Sequence, residues 1–230
     1  GDVYKRQQVR FGTRLGVNLS LKDTLWAGLT DSHAGCPMGV TAENLASDYS
    51  ISRAASDAYA LSSQHKWQEA HQSGKFAPEI APIELKGKKG IEIFDTDEHP
   101  RETSLEKMGK LPTTFKKDGV VSAASASGIC DGAATLIVAS EAAVEKYGLT
   151  PLCEIVSWAS VGVDPTRMGI GPVPAIQAAL DKAGMGLDQM GRVEINEAFA
   201  PQVLACAQAL KLDMSKLNVS CLIQQSFPEH

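Results

Sequence analysis

Asn196-Glu197-Ala198-Phe199-Ala200 sets an amide, a carboxylate and an aromatic ring where the short β-branched segment Val193 to Ile195 gives way to a helical pattern. At such a junction, polar groups can face an open crevice at a strand's carboxyl end. Asn is also a good cap for the helix that follows, so position alone leaves both roles open for Asn196. The other chemistry-bearing groups are more scattered. Five cysteines (Cys36, Cys130, Cys153, Cys206 and Cys221) include no CxxC pair and no His at zinc spacing, so neither a disulfide frame nor a metal site is expected. A reactive thiol needs a helix N-terminus or an imidazole to lower its pKa. Cys221 and His230 lie in a tail without periodicity, and Cys36 in a Gly-Cys-Pro-Met loop. Gly87-Lys88-Lys89-Gly90 is too short for a phosphate-cradling loop.

The elements that must position these groups fall into two stretches. Residues 20–115 are polar and helix-rich. Ala42, Leu45, Ala46 and Tyr49 follow helical spacing, with Thr41 near the start, and Ser52 offers a cap for a longer helix from Arg53 to Ser73 that stops at Gly74. With Tyr59, Trp67 and Ala70 among many polar residues, that second helix reads as a lightly buried surface helix. Ile83 to Leu85 and Ile91 to Phe94 suggest a hairpin. From Val120 onward, small and β-branched residues predict buried strands over Val120 to Ser125, Ala133 to Ala139, Leu152 to Val161 and Val193 to Ile195. Between them, helices are expected over Glu141 to Tyr147 before Gly148, after Pro172 up to Gly184, and over Glu197 to Leu210. This alternation predicts a layered α/β core.

Composition narrows the function. The chain has 230 residues, 43% of them hydrophobic, and a net charge of −5 with no long basic run, which argues against a nucleic-acid partner. No stretch approaches the roughly 20 apolar residues of a membrane helix. Gly1 to Gln7 carry no targeting pattern.

Four segments together resemble the thiolase family in order and spacing. They are Met38-Gly39-Val40-Thr41-Ala42-Glu43-Asn44, Ser125-Ala126-Ser127-Gly128 with Asp131-Gly132-Ala133-Ala134, Met168-Gly169-Ile170-Gly171-Pro172-Val173-Pro174-Ala175, and Asn196 to Ala200. The likeness runs from about Val9 to Val219 and is nearest to the enzymes of fatty-acid β-oxidation. It implies a thiolase-like layered α/β core, incomplete here, with an inserted and mostly helical loop domain. Residues 1–116 would be the loop domain, 117–147 the closing part of the first core half, 148–219 the start of the second, and 220–230 a divergent tail. Residues 1–7 look foreign to the family.

Thiolases pass an acyl group to a nucleophilic cysteine and then to CoA, and an Asn-held water helps form the oxyanion hole. The resemblance places that Asn at Asn196, whose amide can hold a water without titrating. It places CoA against Met38, Arg101, Ser127, Met168, Ala198 and Phe199. Arg101 suits the nucleotide end, and Met and Phe suit the pantetheine arm. Each has a plainer role open to it: Met168 and Phe199 as core residues, Ser127 as a turn hydroxyl, Arg101 as a solvated loop charge. The resemblance implies no cofactor beyond CoA as substrate, no metal, a homo-oligomeric complete protein, and mitochondria as the compartment.

No residue matches the family's acyl-accepting cysteine, and Ser220 to His230 match neither its Gly-His-Pro nor its Cys-x-Gly motif. The chain is therefore expected to be a fragment that is inactive alone and prone to aggregate. A non-catalytic CoA-binding or subunit-association module is the alternative.

Overall fold

The structure is a computed structural model that describes residues 23–88 and 90–219. Gly1 to Gln7, Lys89, Cys221 and His230 lie outside the described residues. The first element, helix α1 (Thr24–Gly28), starts at Asp23, whose carboxylate accepts from the amides of Leu25 and Trp26. Two-residue strands β1 (Thr30–Asp31) and β2 (Cys36–Pro37) then pair antiparallel and lead into helix α2 (Met38–Asp48). The expected apolar face of α2 is buried at Ala42, Leu45 and Ala46. The helix begins earlier than Thr41, with Pro37 at its cap, and the Thr41 hydroxyl instead bonds back to the Met38 carbonyl at 2.7 Å. The first resemblance segment is therefore helical throughout.

Helix α3 (Arg53–Gln72) is capped by Ser52 as predicted and followed by Gly74 at φ +72°. Its burial differs from expectation. Ser56, Asp57, Tyr59, Ala60, Ser63 and Gln64 are all buried, so α3 is a core helix whose inward face is largely polar. Hydrophobic periodicity cannot detect such a face, because Asp57, Tyr59, Ser63 and Gln64 are buried as hydrogen-bonding groups and not as apolar ones. The hairpin forms from β3 (Ile83–Gly87) and β4 (Gly90–Phe94), with Gly87 opposite Gly90, and both strands are exposed along their length. Helix α4 (Leu105–Gly109) brings in Met108, which is fully buried. Arg53, paired with Asp57, donates to the carbonyls of Met108 and Leu111 and so ties α4 to the start of α3.

The second stretch departs most from expectation. Helices α5 (Glu141–Tyr147) and α6 (Pro172–Ala183) end at left-handed Gly148 and Gly184 as predicted. The predicted strands do not become ladders. Residues 120–125 make a buried turn with a single bridge, Ser122 to Thr113, and Val193 makes one parallel bridge to Leu217. Over 133–139 and 152–161 no ladder forms, and Ile137 and Leu152 stand 88% and 99% exposed. Side-chain type gives a segment the capacity to be a strand, but pairing requires an adjacent edge, and none lies against these segments among the described residues.

The core is centred on the last helix, α7 (Ala200–Leu210), which packs against α2, α3, α6 and the 3₁₀ turn Pro165–Ile170. Val203, Cys206 and Ala207 meet Tyr59, Ala60 and Met108 in one continuous cluster. Filling depth decides the cost of deletion here. Met108→Ala should lower the unfolding free energy by about 2–5 kcal/mol in a urea titration. Ile137→Lys should change it by less than about 0.5 kcal/mol.

Candidate active site

The junction that drew attention in the sequence is held on both sides. Helix α7 starts at Ala200, with Phe199 as its cap residue and no side-chain capping bond. Asn196 therefore does not cap the helix, and it lies exposed in the turn before it. On the upstream side, Asn218 reads the backbone of Ile195 twice: Ile195 N–H donates to Asn218 Oδ1, and Asn218 Nδ2 donates to the Ile195 carbonyl, both at 2.8 Å. On the downstream side, the Ser127 amide donates to the Ala198 carbonyl at 2.9 Å and the Ala200 amide donates to the Ser125 carbonyl at 2.8 Å. The backbone is pinned on both sides of an exposed Asn196.

Between those supports sits Glu197, which is 4% exposed. Its Oε1 accepts from Tyr59 Oη at 2.6 Å and Asn218 Nδ2 at 2.9 Å, and its Oε2 accepts from Ser63 Oγ at 2.6 Å. A carboxylate out of water is costly unless its lone pairs are met, and three short donors meet these. Tyr59 and Ser63 come from α3, four residues apart on one helix face.

Four of the other expected residues gather around this turn. Ser127 and Ala198 are joined by the bond just described. The Phe199 ring meets Phe115 edge-on, with centroids 6.0 Å apart. Phe115 in turn fills the space where a Cβ on Gly39 would lie, which brings the start of α2, and Met38 with it, toward the same cluster. Met38 and Phe199 are half-buried, and Ser127 is exposed. Met168 sits on the turn Pro165–Ile170, which docks on the C-terminal half of α2: Asn44 donates to the Thr166 carbonyl at 3.0 Å, and Gly169 abuts Leu45 and Gln202. Arg101 is placed elsewhere. Its amide donates to Gln64 of α3 at 3.0 Å, and it lines a hollow of about 220 Å³ with Leu61, His65 and Trp67 that none of the other expected residues lines.

Sequence reasoning missed the residues that hold the site together. Glu43 is buried and accepts from the amides of Val120 and Val121 at 2.9–3.0 Å, fixing the segment that leads to Ser125 and Ser127. Asn218 and Glu197 act as described. A carboxylate inside an otherwise apolar helical pattern, as at Glu43, was the available signal; Asn218 offered none. Cys206 is the reverse case. Its thiol is buried in α7 and donates to the Gly169 carbonyl at 3.2 Å, and burial pushes its pKa up to about 11. At neutral pH it is a packed thiol and not a nucleophile.

With the junction, the small-residue turn and the two half-buried apolar contacts in place, the chain belongs to the thiolase family. The thiolase N-terminal domain matches residues 2–142 and the thiolase C-terminal domain residues 149–221. The mitochondrial 3-ketoacyl-CoA thiolase of Mus musculus is 56% identical over 218 residues, covering 94% of this chain and 55% of its own length. The crystal structure of human mitochondrial 3-ketoacyl-CoA thiolase superposes with a TM-score of 0.90 at 53% identity, over 95% of this chain and 56% of that one. The same human protein in complex with CoA gives 0.88 at 52% identity, with 95% and 55% covered. The chain spans about half the length of the curated relatives it matches. Its trace is thus the thiolase α/β arrangement, as expected, even where ladder pairing is missing.

The Met168 turn is held by an exposed ion pair, Arg167 to Asp48 at 2.9 Å. The hydrogen bond from Arg167, with its charge, lowers the Asp48 pKa below the ordinary 3.8. A depressed carboxylate contributes stability that is present above its unfolded value and lost as pH falls through the folded one. The thermal midpoint should therefore fall more steeply below about pH 4 in the parent chain than in Asp48→Asn, by a small amount because both groups are solvated.

Proposed function

We propose that this chain carries the CoA-receiving and oxyanion-stabilising part of a 3-ketoacyl-CoA thiolase, an acyl-CoA C-acyltransferase. The reaction is thiolytic cleavage of a 3-ketoacyl-CoA to acetyl-CoA and a shortened acyl-CoA. Asn196 is the catalytic residue assigned here, holding a water whose proton faces the thioester oxygen as negative charge develops on it. Fixed donors of this kind stabilise the transition state more than the ground state, because they are already oriented when charge appears. The observation that carries the reading is that Asn196 is released from helix capping and yet has its backbone tied on both sides. The identity to mitochondrial 3-ketoacyl-CoA thiolases over nearly all of the chain supports the substrate class.

CoA is assigned to Met38, Ser127, Met168, Ala198 and Phe199 along the pantetheine arm, with Arg101 at the nucleotide end. The relative whose crystal structure contains CoA supports this partner. No cofactor beyond CoA as substrate is assigned. The complete protein is taken to be a homo-oligomer in mitochondria, following the names of its relatives for the compartment.

Acyl transfer also requires a thiolate and a base. Cys206 is excluded by its burial, and no residue of this sequence matches the family's nucleophile, so the chain by itself is assigned CoA binding without turnover. Calorimetric titration with CoA should show saturable binding, weakened by on the order of tenfold in Arg101→Ala if one charged hydrogen bond is lost. Absence of saturable heat in the parent chain would refute the reading. Incubation with acetoacetyl-CoA should leave the intact mass unchanged; a stable acylated cysteine would show that one of its thiols accepts the acyl group and would overturn the assignment of inactivity.

A further inference from the structure

Glu197 stands next to the residue assigned to catalysis, yet its carboxylate points away from solvent and into the core. Both of its oxygens are engaged, and the three donors come from two parts of the sequence: positions 59 and 63 on α3, and position 218 beyond α7. Asn218 closes the arrangement, since the same Nδ2 that meets Glu197 also meets the Ile195 carbonyl and, at 3.3 Å, Tyr59 Oη. Residues 195 and 197 are thereby fixed to one polar knot, and residue 196 lies between them.

We infer that Glu197 is a positioning residue that sets the direction of the Asn196 amide, with Tyr59, Ser63 and Asn218 as its anchors. The inference rests on the reading of Asn196 given above. The geometry explains why the carboxylate is buried at all. The turn before a helix could be packed with an apolar side chain at lower desolvation cost, whereas three directional bonds fix rotation about the chain as well as depth. Helix α3 supplies the rigidity. Its adjacent residues Ser63 and Gln64 hold the Glu197 carboxylate and the Arg101 backbone amide respectively, so one helix references both the Asn196 turn and the assigned nucleotide end.

The side-chain NH₂ pair of Asn196 in the ¹⁵N-labelled chain reads this directly, and its loss in Asn196→Ala identifies it. In Glu197→Ala the pair should split or shift, while the backbone amides of Val203 to Leu210 hold their positions. Glu197→Gln should restore most of the parent signal, because its oxygen can take the place of Oε1 and its NH₂ can donate to a reversed Ser63 hydroxyl. Tyr59→Phe removes one donor and leaves the ring, so it should move the Asn196 pair by a smaller step, and it decides the matter if Glu197→Ala does not fold. An Asn196 pair unmoved in Tyr59→Phe and Glu197→Ala overturns the inference. So does a shift shared equally by the α7 amides, which would mark Glu197 as a general brace. CoA calorimetry on the parent chain is separate: its failure would remove the functional reading and leave any selective Asn196 shift standing.

Discussion

A negative charge withdrawn from water must be met by donors on nearly every lone pair, and Glu197 is the place where this chain satisfies that demand. The donors come from two widely separated parts of the sequence, so the bond set can form only when α3 and the turn before α7 have reached their final relation. Leaving one donor out would strand part of a buried carboxylate, a penalty on the order of 1–3 kcal/mol per lost partner. Apolar packing of Val203 and Met108 supplies the larger stabilisation but no direction. The polar knot supplies direction, and the exposed amide of Asn196 inherits it.

Glu43 repeats the principle on the other side of the site. Its carboxylate gathers two backbone amides at Val120 and Val121, just as the chain turns toward Ser125 and Ser127. The two acids divide the work: one holds the segment that supplies Ser127, the other the segment that supplies Asn196. The backbone bonds between 125–127 and 198–200 then join the two segments. A site built in this way depends on few apolar contacts of its own, which fits its open, half-buried lining.

What could be read in advance was local. Ser52 as a cap, Gly148 and Gly184 as stops, and the hairpin around Gly87 and Gly90 each depend on residues within a turn or two, and the structure contains all of them. The motif around Asn196 was also legible, though not the choice between capping and exposure. Pro201 and the bridge from Ala126 to Phe199 move the helix start to Ala200, three residues past Glu197. The polar inner face of α3 was invisible because Tyr59 and Ser63 find their partner, Glu197, more than a hundred residues away. The β-branched runs at 133–139 and 152–161 misled for a related reason: a ladder belongs to a pair of segments, and a single sequence window shows only one member.

Gly39 bears on how this family can vary. The space its hydrogen leaves is occupied by the ring of Phe115, and that ring is set edge-on against Phe199. Volume is thus shared between residues 39 and 115 and passed on to a residue of the turn that carries Asn196. A side chain at residue 39 would have to displace the Phe115 ring, so the size of the first position and the edge-on contact with Phe199 are mechanically linked.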